Sequence, residues 1–128
     1  MKQSELQYGV DKFVRLPLYL QQANRFDESI SVFNELTEYF SELVLKGGTF
    51  TDNKTKRFRH SYLESLYKSK ALACKRAKRY DLENDSVEQS NYHKEQSEKY
   101  RALSDAEDSE RSRIYRENRL KRNIQNLS

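Results

Sequence analysis

The chain has 128 residues, a net charge of +4, and 34% charged against 35% hydrophobic side chains. That length suits one domain with a modest core, and three glycines with a single proline favour long helices over a turn-rich sheet. The polar N-terminus shows no signal peptide, no apolar run is long enough to span a bilayer, and the lone Cys74 permits no intrachain disulfide, so the expected address is cytoplasmic.

Residues 1–12 carry Leu6, Tyr8 and Val10 around Gly9, which leaves a short helix and a loose arm both open. From Phe13 the pattern strengthens: Phe13, Leu16, Leu20 and Ala23 recur at gaps of three or four, one face of a helix. Pro17 interrupts that face, and its missing amide predicts a kink or a helix start close by. A corner at Ala23-Asn24-Arg25-Phe26 follows, with Asn24 suited to a left-handed conformation and Asp27 to a helix cap. Ile30, Phe33, Leu36 or Thr37, Phe40, Leu43 and Val44 form the stripe of a second helix, which Lys46 and Gly47-Gly48 should stop. Neither arm persists alone in water, so the two stripes should bury each other as an antiparallel hairpin. Within it, Phe26, Phe33 and Leu36 are the expected buried residues.

On those residues the stretch at about 10–46 resembles a single, divergent tetratricopeptide repeat. Phe13 stands at the aromatic position, Leu16 and Leu20 at first-helix core positions, Phe26 at the corner aromatic, and Ser29 at the small residue where the helices touch. Phe33 and Leu36 face the next element. Pro17 departs from the small residue of the family, and Ser41 stands where a closing proline is usual. The resemblance implies a helical scaffold for binding other proteins and implies no chemistry.

Beyond a loop at 47–53, where Asp52 or Asn53 is placed to cap, a third helix is expected from about Lys54 to about Tyr80. Phe58, Tyr62, Leu66, Ala73, Ala77 and Tyr80 lie near one face, widened by Leu63 and Tyr67, and Cys74 reads as a small packed residue. The next corner is expected at 81–85, with Ser86 and Gln89, or Asp85 and Glu88, at capping-box spacing. AKRYDLEN echoes ANRFDESI, the mark of a candidate second, decayed repeat with Glu83 where Ser29 stood. From Val87 onward only a weak stripe remains, Val87, Tyr92, Gln96, Tyr100, Leu103 and Ala106, on a long and mostly solvated helix. The expected fold is therefore all-α: a hairpin followed by two long helices, with a single domain at 1–110 and a basic extension at 111–128, helical or frayed.

Charge is laid out in blocks. Residues 54–80 hold ten Lys/Arg against one acid, 81–110 hold three against ten, and 111–128 hold six against one. Opposite blocks joined by a corner predict that the basic helix folds back beside the acidic one. Alternatively Lys54, Lys56, Arg57, Arg59, Lys75, Arg76, Lys78 and Arg79 make a phosphate-binding surface with Tyr62 and Tyr67 as stacking groups, assisted by the C-terminal arm. Compensation by the acidic block is the preferred reading, because net charge is small and no recognition-helix motif is present.

His60 and His93 lack ligand spacing with each other, with Cys74 or with a carboxylate, and no glycine-rich phosphate loop exists, so neither catalysis nor a metal or other cofactor is expected. What remains is a small interaction protein with a protein partner, a second copy of itself in a homodimer included; nucleic acid is the alternative and no membrane is expected. Arg113, Ile114, Tyr115, Arg116, Arg119 and Leu120 are the candidate contact arm, since burying so many guanidinium groups without partners is prohibitive.

Overall fold

The computed structural model describes residues 10–43 and 51–127, so the expected stop at Lys46 and Gly47-Gly48, Val44, and most of the N-terminal stretch lie outside the described residues. Four helices follow in order: α1 Asp11–Gln22, α2 Phe26–Ser41, α3 Asp52–Arg76 and α4 Tyr80–Leu127. The fold is all-α, a hairpin followed by two long helices, with no strand among the described residues. α3 lies in the middle, packed against α1 and α2 on one side and against α4 on the other.

Pro17 does not start α1 but sits inside it, fully buried, and the Ser29 hydroxyl donates to its carbonyl at 2.6 Å. That close approach turns the helix. Val10, Val14 and Pro17 point inward with Leu20, whereas Leu16, expected in the core, is 56% exposed, and Ala23 is also exposed. The proline costs an amide bond but supplies an apolar ring where the backbones meet, so its face displaces the one that gaps of three and four suggest.

The core cluster is Val10, Val14, Phe33, Phe40, Leu43, Leu63, Leu66 and Ala73, flanked by Phe13, Leu18, Leu36, Tyr39, Tyr62 and Tyr67. Phe40 is its hub, with ring centroids of Phe13, Tyr39 and Tyr62 at 5.7, 5.2 and 5.3 Å in edge or tilted arrangements. Phe33 is fully buried as expected, Leu36 only partly, and Phe26 is a partly buried residue at the corner. Cys74 is fully buried beside this core. Every member of the cluster comes from the first three helices or the segments that border them.

Both corners close in the same way. At the first, Asn24 has φ 61°, its amide donates to the Gln21 carbonyl, and the Arg25 amide donates to the Leu20 carbonyl. At the second, Lys78 has φ 59°, its amide donates to the Lys75 carbonyl, and the Arg79 amide donates to the Cys74 carbonyl. This is the Schellman arrangement, which satisfies two carbonyls at a helix end through one left-handed residue. The sequence echo ANRFDESI/AKRYDLEN is therefore also an echo in backbone hydrogen bonding.

It also corrects the expected boundaries. The second corner is Ala77-Lys78-Arg79, not 81–85, so α4 starts at Tyr80, and Ser86 and Asp85 lie inside it instead of capping it. α2 starts at Phe26 without a side-chain cap, leaving Asp27 and Glu28 in its first turn, and α3 is capped by Thr51, whose hydroxyl accepts from the Lys54 amide at 3.2 Å.

Phe33→Ala should lower stability by about 3–5 kcal/mol, because it opens a cavity at a site with no exposure; an unchanged melting temperature would contradict this core. Lys78→Gly should stabilise the fold by about 1 kcal/mol, since a side chain at a left-handed position is unfavourable by about that amount. Chemical denaturation measures both.

Candidate functional site

The contact between α3 and α4 is of a different kind from the core. The buried residues of α4 are Ser86, Ser90 and Ser104, with no apolar side chain among them, while Val87, Tyr92 and Leu103 of the expected stripe are substantially exposed. Small side chains let the two backbones approach closely. The Ser90 hydroxyl reaches across to the Glu64 carbonyl at 3.1 Å, and the Ser104 hydroxyl bonds the Arg101 carbonyl within its own helix. The α4 stripe read from apolar residues therefore falls only partly in the seam: its Tyr100 meets α3, whereas Val87 and Leu103 stay exposed, and the serines that line the contact carry no hydrophobic signal.

Between Ser90 and Ser104 the seam is filled by rings. His60 of α3 and His93 of α4 face each other with their Nδ1 atoms 2.9 Å apart. His60 stacks on Tyr100 at 5.7 Å and 3°, His93 stacks on Tyr67 at 5.6 Å and 8°, and Tyr92 meets both histidines edge-on. Lys56 and Lys99 lie over Tyr100, and Lys70 over Tyr67, so ammonium groups cover both ends of the column.

Only one proton fits between the two Nδ1 atoms, so at least one ring must be neutral and accept through its Nδ1. The surroundings favour that state. Burial holds His60 below its ordinary range, helped by Arg59 and Lys56, and burial with the facing His60 pushes His93 down to about 4. The pair is invisible to local spacing and becomes legible once the corner is placed at Lys78, which sets the two histidines at comparable distances on either side. Two imidazoles alone make a poor metal site, and no group of three or more His, Cys, Asp or Glu is arranged for one among the described residues.

The proposed basic surface does not form a single patch. At the start of α3, Lys54 pairs with Asp108 at 3.2 Å and Arg57 with Asp105 at 3.7 Å, while Asn53 donates to Glu107. These are the cross-helix contacts expected from the opposite charge blocks. Lys56 pairs with Asp52, and Arg59 donates twice to the Leu43 carbonyl, tying the end of α2 to α3. Lys75, Arg76, Lys78 and Arg79 are exposed at the other end of α3, about 24 Å away at 1.5 Å per residue. There Arg79 lies over Phe26 and near Asp81, in a groove that Asp27 and Glu28 also line. Tyr62 packs in the core and Tyr67 in the ring column, so neither is available for stacking on a base.

The arm is a continuation of α4. Its residues 111–127 are helical and exposed throughout, about 25 Å of rod past the point where α3 begins. Arg113 is held between Glu110 and Glu117, which raises its already high pKa, and Arg111 pairs with Asp108. Ile114, Tyr115, Arg116, Arg119 and Leu120 remain exposed.

No family model matches the chain, and no characterised protein and no solved structure is significantly similar to it.

The histidine pair has a signed consequence in pH. Both folded pKa values lie below the unfolded value of about 6.5, so the unfolded chain takes up protons first and the pair's contribution is complete only above that value. It should fall away as pH drops from about 6.5 towards 4. Melting temperature measured between pH 7 and 5, above the carboxylate range, should decline for the native chain and decline less for His93→Gln. Parallel profiles would remove the pair from the stability of the seam.

Proposed function

We propose that this chain is a small helical protein–protein interaction module without catalytic activity, and that it engages an acidic, helical protein surface through the free end of α4. One observation carries the reading: residues 111–127 form a helix exposed on all sides, with arginines interleaved by Ile114, Tyr115 and Leu120. Mixed aromatic, aliphatic and arginine surfaces are what protein interfaces favour. As the extension of a helix already anchored along α3, the arm enters binding with its backbone ordered, which limits the entropic cost of association. In this reading the hairpin resembling a tetratricopeptide repeat is the scaffold, and α3 joins it to the contact surface.

The nucleic-acid alternative draws less support from the geometry. Lys54, Lys56, Arg57 and Arg59 are engaged within the protein, and the exposed cations at the far end of α3 share their groove with carboxylates.

The test compares the full chain with one lacking residues 111–128. A synthetic amphipathic helix with glutamates flanking a leucine stripe should bind the full chain and lose at least ten-fold in affinity for the truncated one, whose melting temperature should be nearly unchanged. A duplex oligonucleotide should bind neither at physiological salt. Tight oligonucleotide binding that weakens steeply with salt would establish the alternative, and loss of folding on truncation would return the arm to the core.

A further inference from the structure

We infer that the acidic helical surface recognised by the arm is α4 of a second copy of this chain, the two α4 helices lying antiparallel across a two-fold axis. The inference rests on the arm being a docking surface and identifies its occupant. The charge order of α4 is the first observation. Its segment at 81–110 carries ten acids against three bases, and its segment at 111–128 carries six bases against one acid. Parallel α4 helices would set like charge against like along their whole length. Two arms overlapping only each other would set base against base. Full antiparallel overlap alone places each basic arm on an acidic half, and the two-fold axis makes the match twice.

The second observation is a register. Tyr80, Asn84 and Val87 are exposed at gaps of four and three along one side of α4, and Leu120, Asn123 and Leu127 are exposed at gaps of three and four. With the two-fold axis between Leu103 and Ser104, Tyr80 comes opposite Leu127, Asn84 opposite Asn123, and Val87 opposite Leu120 of the other copy. The same register thus matches apolar with apolar, amide with amide, and acidic half with basic half. This side of α4 is not the one that carries Ser86, Ser90 and Ser104 into the seam, so α3 does not obstruct it. Near the axis, Ala102 and Ser109 are exposed small residues that permit close approach. One layer opposes like charges, Lys94 against Arg113, and there the guanidinium is already neutralised by Glu110 and Glu117.

A chain carrying both Asn84→Cys and Asn123→Cys tests the register under mild oxidation. The two positions are about 58 Å apart on one straight helix, beyond any intrachain bond, and the native Cys74 is buried. The expected result is a covalent dimer from the double variant and none from Asn84→Cys alone, which would link only parallel helices. Off-register Asn91→Cys with Asn123→Cys should also give none. Sedimentation of the native chain should show a dimer whose dissociation constant rises at least ten-fold between 50 and 500 mM salt. A monomer at every concentration, or equal cross-linking by Asn84→Cys alone, overturns the inference. If the chain is monomeric yet still binds the acidic peptide through its arm, only the second copy is refuted; if it binds neither, the docking arm falls with it.

Discussion

Everything in this molecule depends on α3 being buried on two sides by two different kinds of contact. Towards α1 and α2 it presents Leu63, Leu66 and Ala73, which join Phe33 and Phe40 in an apolar cluster. Towards α4 it presents His60 and Tyr67, and what meets them is serine, histidine and tyrosine. The first contact draws on burial of apolar area and sets most of the stability. The second has little apolar area to offer. It works through close backbone approach, stacked rings and a few charge pairs, each worth only tenths of a kcal/mol when exposed.

That division assigns the helices different tasks. A hairpin held by an apolar core tolerates little change in side-chain volume, because cores are close-packed. The α3/α4 seam can instead respond to its surroundings, because the hydrogen bond between His60 and His93 is lost once both rings carry a proton on Nδ1. With its outer side and its end free of the core, α4 has surface to spare for a partner.

Charge arranges what apolar contact leaves undecided. Lys54 and Arg57 find Asp108 and Asp105 across the seam, which sets the register where α3 begins. Beyond that point the acids of α4 give way to arginines, and among the described residues no other helix packs along that arm. The basic sign of that arm is the physical basis for looking outside the chain for its complement.

The sequence by itself determined that the chain is helical, that 10–43 form a hairpin with a left-handed Asn24, that the basic and acidic blocks lie together, and that Cys74 is packed inside. Each follows from a local signal: apolar periodicity, a residue tolerant of positive φ, or a block of charge. Only the tertiary structure decided that Pro17 rather than Leu16 is buried at the contact with α2, that α4 turns its serines to α3, and that His60 meets His93. Periodicity reports burial in apolar surroundings, and a seam of serine and rings leaves no such trace. The histidines depended on the second corner as well. In an antiparallel pair every contact is measured from the turn, and placing the corner at 81–85 instead of at Lys78 moves each residue of α3 onto a different neighbour.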